Sequence, residues 1–330
     1  MGLTLFSRKH KIVNLVIKDH VLRYVELKQT NPLIVQKCGE YYLPPGLIKD
    51  GRVIDRETLS TILEQCVADW KIRKKQVRMI VPDPFIVVRK LEIPKDVEGD
   101  EITGYLYMEL GSSIHLPFEE PVFDTVILGE AKDKKEILLF AAPEDIVKEY
   151  SSLLEDCGLI PVAADISPLS LYRFYHALDK SRTEEHLLMI QLDVGSMGIC
   201  IFEGEKPIFM RHIQLPGTLS SWETSLTGTG NTSLVYEENH GDIEAAFSDI
   251  FNELDRIMNF YRYTLRQGQQ SITKILLAGD NPFKNKVFEE LVVRFNLFVD
   301  RIDSHEVHTV NQTPLPDSFY VTLGLALKEV

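Results

Sequence analysis

No run of about 18 apolar residues occurs in this chain, so it offers no stretch of the length that crosses a bilayer as a helix. Its first residues carry no apolar segment of signal-peptide length either. Cysteine is scarce: Cys38, Cys66, Cys157 and Cys200 stand far apart. That spacing fits neither a zinc site nor a dense disulfide scaffold, and buried thiols in a reducing cytoplasm are the expectation. Basic residues are outnumbered, 36 Lys and Arg against 49 Asp and Glu for a net charge of −13. A general nucleic-acid binder, whose affinity comes from clustered cations, is thereby disfavoured. Of nine histidines only His305 and His308 lie close together, without a cysteine to complete a metal set. No serine or cysteine sits in a nucleophile-elbow pattern. Gly228-Thr229-Gly230 lacks the lysine and helix of a phosphate loop and reads as linker, and His212 and His240 read as surface or packing residues.

What is present is an ordinary globular composition, 44% hydrophobic and 26% charged, in 330 residues, too long for one simple core. The N-terminal Leu3, Leu5 and Phe6 before Arg8, Lys9 and Lys11 suit either a frayed tail or contact with an anionic membrane surface. The first 80 residues predict strands over 11–18, 21–28 and 33–38, then a helix capped by Asp55 with Leu59, Ile62, Leu63, Cys66, Val67 and Trp70 on one face. From Pro84 to Cys157 a strand-helix-strand-strand-helix order predicts an inserted α+β module. The strand pattern restarts at Leu187, and Ser220 to Asp242 reads as a mobile loop. A helix is expected from Ile243 to Gln267, a buried strand over Lys274 to Ala278 and a helix over Phe283 to Phe295. Strands first and helices after, twice over, predict a duplicated α/β architecture.

Two stretches read as twins. Leu192-Asp193-Val194-Gly195-Ser196 through Glu203 is an apolar strand ending in an aspartate, a turn of small residues and a returning strand. Leu15 through Glu26 has the same shape, with Val16 against Asp193 and Lys18 against Gly195. Paired Asp-x-Gly hairpins suit a duplicated nucleotide-binding fold, because the carboxylate orders a metal-bound water and glycine lets backbone amides approach a phosphate. In the second copy Asp193, Gly195, Ser196 and Gly198 keep that chemistry, or form only a hairpin turn. In the first, valine cannot ligate a metal. Lys18 is either a charge for a phosphate or, as the favoured reading, a solvated residue at a strand end.

The order of these features resembles the PilM family, actin-like proteins of type IV pilus assembly related to FtsA. The resemblance rests on Leu43-Pro44-Pro45-Gly46 through Gly51, Leu116-Pro117-Phe118 followed by Asp124, and Cys157-Gly158-Leu159-Ile160-Pro161 with Asp165. It continues through Leu192 to Ser196, Phe209 to Ile213, Glu253 to Arg256, Ile275 to Gly279 and Leu323 to Leu327. It implies a duplicated actin-like (ribonuclease H-like) ATPase fold: residues 1–83 and 158–186 as subdomain 1A, 84–157 as an inserted 1C, and 187–330 as the second half. That half is 2A with a reduced 2B around 218–268. It also implies a protein at the cytoplasmic face of the inner membrane that binds the N-terminal cytoplasmic peptide of a PilN-like membrane protein in a groove between 1A and 1C. Self-association as in actins stays open.

The resemblance places ATP with Mg in a central cleft where motifs are intact. Here the first hairpin departs from the family's Gly-Leu-Asp-Ile-Gly-Ser, and Asp280 replaces the second glycine of a Gly-Gly pair after Gly279, where a carboxylate crowds and repels a nucleotide. Arg256 matches an arginine that flanks the base in relatives, or is simply an exposed helix partner of Glu253. The residual nucleotide cleft is therefore Asp193, Gly195, Ser196, Gly198, Arg256 and Gly279. The expected function is a pilus-assembly scaffold, and a degenerate ATPase rather than an enzyme. An active ATPase switch, with Lys18 and Asp193 compensating for Val16, is the alternative.

Overall fold

The computed structural model describes residues 12–131, 133–215, 222–226, 232–235, 243–302 and 307–329. Expectations on the N-terminal tail, the glycines at 228 and 230, His240 and His305 lie outside them. The first half opens with β1 (Val13–Lys18), β2 (Val21–Thr30) and β3 (Leu33–Tyr42), then the small hairpin β4 (Ile48–Lys49) and β5 (Arg52–Val53). Helix α1 (Arg56–Trp70) starts where the Asp55 carboxylate accepts from the Thr58 amide, which satisfies an otherwise orphaned helix donor. β6 (Gln76–Ile80) follows, then β7 (Val87–Pro94), α2 (Ile102–Glu109), β8 (Pro121–Ala131), β9 (Lys134–Pro143), α3 (Glu144–Asp156), β10 (Ile160–Asp165) and α4 (Ser167–Ala177). The second half holds β11 (His186–Leu192), β12 (Ser196–Glu203), β13 (Lys206–Gln214), β14 (Glu223–Leu226) and β15 (Thr232–Val235). It ends with α5 (Ile243–Asn259), β16 (Lys274–Ala278), α6 (Lys284–Arg294), β17 (Phe298–Asp300), β18 (His308–Thr309) and α7 (Tyr320–Ala326).

Sheet topology makes the duplication explicit. The first sheet runs β10-β6-β1-β2-β3-β18 and the second β13-β12-β11-β16-β17. Each is an antiparallel three-strand meander whose first strand is flanked by two further parallel strands. Between the sheets lie α4 and α7. Their side chains share one core with Val16, Val25 and Ile80 of the first sheet and with Met189, Phe202 and Leu276 of the second. The two helices approach so closely that a Cβ on Gly324 would fall 1.6 Å from the Ser170 carbonyl oxygen. Outside, α1 and α3 cover the first sheet, and α5 and α6 cover the second.

The insertion is a β7-β9-β8 sheet with α2 packed on one face through Ile102 and Leu106 against Ile137 and Leu139. Helix α3, expected as part of the module, instead buries Ile146, Tyr150, Leu153 and Leu154 in the core of the first half. Three other expectations shift. The third strand extends to Tyr42, residues around 220–242 contribute the β14-β15 hairpin rather than only loop, and α5 passes into a π-helical turn over Phe260–Leu265.

Candidate functional site

The twin hairpins meet at the boundary between the halves. In the first, Lys18 pairs with Val21 across the turn Asp19-His20. In the second, the Asp193 amide donates to the Ser196 carbonyl across Val194-Gly195. The neighbouring strands agree: Leu15 stands beside Met79, one residue before β6 ends, and Ile190 beside Leu277, one before β16 ends. Hairpin register therefore matches Lys18, not Val16, to Asp193, which corrects the linear comparison. Val16 turns into the core between the halves at 2% exposure.

Lys18 is not solvated. Its Nζ donates to Asp193 Oδ2 at 2.6 Å, with the two side chains 16% and 6% exposed. Gln191 Nε2 donates to the same oxygen at 2.7 Å, and Asn281 Nδ2 holds the Asp193 backbone carbonyl at 3.0 Å. Asp193 Oδ1 is buried without a protein partner, as is Asp83 Oδ1 nearby. Burial pushes the Asp83 carboxyl up to about 6; Asp193 adds to this, while the Lys18 ammonium and Ser167 oppose it. His212 lines the same cavity with Nδ1 buried and unpartnered, and burial lowers its pKa. Asp19 also lines the cavity and accepts the amides of Asp50 and Gly51 at 2.7 and 3.1 Å, although burial still raises its carboxyl. The cavity among these groups measures about 60 Å³, against roughly 300 Å³ where pockets for small-molecule ligands begin.

A second set of contacts joins the halves beside it. Asp280 Oδ2 lies 2.8 Å from His20 Nε2 and 2.5 Å from Arg23 Nη1, and Arg23 Nε also donates to Glu40. Burial alone would push the Asp280 carboxyl up, but His20 and Arg23 hold it well below the usual carboxylate range. Trp222, just before β14, places its ring edge against His20, with centroids 6.0 Å apart. Its indole N–H donates to the Leu43 carbonyl at 3.5 Å.

The structure brings together part of the expected set. Asp193, Gly195 and Ser196 line the cavity. Gly198 does not; it sits opposite Gln191 on β12, where an added Cβ would meet only Gln191 Cβ at 3.8 Å. Gly279 has φ +111°, and a Cβ there would fall 2.0 Å from the Leu192 carbonyl oxygen, so strand packing requires glycine. Arg256 is 78% exposed and lies 3.3 Å from Glu253, which is 15% exposed and also pairs with Arg211 at 2.8 Å. Asp280 faces His20 and Arg23 rather than open cleft. Sequence reasoning passed over His20, Arg23, Asp83 and Gln191. Arg23 and Gln191 stand inside strands, and Asp83 lies in a Pro-Asp-Pro turn.

A separate apolar groove of about 300 Å³ opens where the uncovered face of the inserted sheet meets the first half. Val122, Val126 and Phe140 form one side, and Val81, Ile166 and Leu169 the other. Asp165 at its base is held by Arg173 and Ser170, each at 2.9 Å. Val126 is 52% exposed.

The family model described as type IV pilus assembly protein PilM matches residues 15–224. The chain belongs to the PilM family. Among solved structures, a PilM-PilN type IV pilus biogenesis complex matches with TM-score 0.75 at 21% identity, over 96% of this chain and 98% of that one. The ethanolamine utilization protein EutJ of Carboxydothermus hydrogenoformans reaches TM-score 0.49 at 12% identity, over 96% and 88%. MreB5 of Spiroplasma citri bound to ADP reaches 0.48 at 10%, over 96% and 95%. A search of curated protein sequences returns no match. The PilM match and the repeated sheet order establish a duplicated actin-like fold, and no helix among the described residues is long and apolar enough to cross a membrane.

Proposed function

We propose that this protein is a pilus-assembly scaffold that binds the cytoplasmic N-terminal peptide of a PilN-like inner-membrane protein, and that its use of ATP is lost or very weak. The observation that carries the peptide reading is the apolar groove between the first half and the inserted sheet. Its walls are built from separate elements, and its size is sufficient for several apolar side chains. Such a groove excludes water from the apolar anchors of a docking segment, which is where most binding energy resides. Membrane contact then comes through the partner.

The nucleotide reading follows from the residues of the cleft, which do not fit a magnesium nucleotide. A hydrated metal needs free carboxylate oxygens beside the phosphates, and here the Lys18 ammonium already occupies Asp193 Oδ2. Asp280 is bound into a buried ion-pair network, and the remaining cavity is small. Isothermal titration with Mg-ATP and with a PilN-type N-terminal peptide tests both halves of the proposal. Peptide binding without ATP binding is expected. Tight ATP binding with turnover overturns the second half, and absence of peptide affinity overturns the first.

A further inference from the structure

Two carboxylates, Asp83 and Asp193, face one cavity and each keeps an oxygen buried without a protein partner. One ammonium, that of Lys18, bonds Asp193 at 2.6 Å from the opposite half of the molecule and acts on Asp83 through its charge. A buried carboxylate without a cation either carries a desolvation cost or takes up a proton, and a neighbouring ammonium relieves that cost. The hairpin register sets Lys18 and Asp193 at matching turn positions of the two copies, so the ion pair spans the pseudo-symmetric boundary at its midpoint.

We propose that the Lys18 ammonium is a tethered, permanent cation that occupies a cation seat between the halves and holds the cleft closed without any ligand. Closure is then a property of the covalent chain. A lysine side chain carries its charge on a flexible stem, so it reaches Asp193 at no cost in binding a free ion. Removing the ammonium while keeping both carboxylates uncovers the seat. The vacated cavity then accepts a small cation, magnesium or an alkylammonium, in place of the lost side-chain terminus.

The test is thermal unfolding of the full chain and of Lys18→Ala, with and without millimolar MgCl2 or ethylammonium chloride at constant ionic strength. Lys18→Ala is expected to lower Tm by about 4–7 °C, the scale set by breaking a buried ion pair in a chain of this size. Either cation should restore part of that loss and leave the unaltered protein unmoved. In Lys18→Ala/Asp193→Asn the demand for a cation is reduced, so Tm should exceed that of Lys18→Ala and the cation response should fall. An unchanged Tm in Lys18→Ala, or an equal cation response in all three proteins, overturns the proposal. If Lys18→Ala does not fold, Asp193→Asn is followed by hydrogen exchange. Faster exchange at both turns, residues 19–21 and 194–197, is expected, and unchanged exchange overturns the proposal. The inference rests on the cleft reading above, but ATP affinity of the unaltered chain tests that reading and the cation response of Lys18→Ala tests this one, so either can fail alone.

Discussion

The Lys18 ammonium and the Asp193 carboxylate, 175 residues apart in the chain, meet at 2.6 Å across the boundary between the two copies of the fold. Each stands at the last position before a tight hairpin turn. The duplicated frame thus brings opposite charges together at the centre of the cleft. Stability and ligand behaviour of the cleft follow from that contact and from the Asp280 network beside it.

Asp280→Ala should be strongly destabilising. It leaves the Arg23 guanidinium and the His20 ring, each only 2% exposed, without their shared anion. Loss of one partner of a buried ion pair costs about 3–5 kcal/mol. Urea unfolding followed by circular dichroism measures it, and Arg23→Met/Asp280→Leu should recover much of the loss because it leaves no buried charge.

Asp83→Asn should stabilise the protein at neutral pH and do little in acid. The carboxyl titrates near 6 in the folded chain against a reference of 3.8. A carboxyl raised on folding contributes nothing below the unfolded pKa, where both states are protonated. Between pH 3.8 and about 6 the unfolded chain ionises first, so stability falls as pH rises, and the penalty then stays constant. A shift of this size corresponds to up to about 3 kcal/mol. Tm measured from pH 4 to 8 should show the variant's advantage opening across that window and level above it.

Gly279→Ala should destabilise the fold by about 2–4 kcal/mol, since the residue adopts a positive φ and its Cβ collides with the Leu192 carbonyl. The loss should be the same with and without ATP. A loss confined to ATP-containing samples would return Gly279 to a nucleotide role.

Much of the fold was legible in the sequence. The Asp55 cap, the apolar faces of α1 and α3 and the repeated strand-rich openings are local patterns, and the structure contains them. The insertion's boundary was less legible, because α3 has the amphipathic face of a module helix but packs on the neighbouring core. The site was legible only in part. Asp193, Gly195 and Ser196 carry a motif, whereas the roles of Lys18, His20 and Arg23 depend on which residues the other half places opposite them. A linear comparison set Val16 against Asp193, since hairpin register is fixed by strand pairing and not by sequence spacing.

Val126→Glu should leave stability within about 0.5 kcal/mol, because the residue is 52% exposed. It should weaken docking of a PilN-type peptide at least about tenfold by placing a charge on the apolar groove wall. Thermal unfolding and titration calorimetry on the same sample separate the two effects.

The most direct measurement is calorimetric titration of the purified full chain with Mg-ATP, followed by titration of a PilN-type N-terminal peptide in the presence and absence of Mg-ATP. The account predicts no saturable heat with ATP and one peptide affinity under both conditions. Saturable ATP binding together with a peptide affinity that depends on it would contradict a cleft held closed by Lys18 and Asp193.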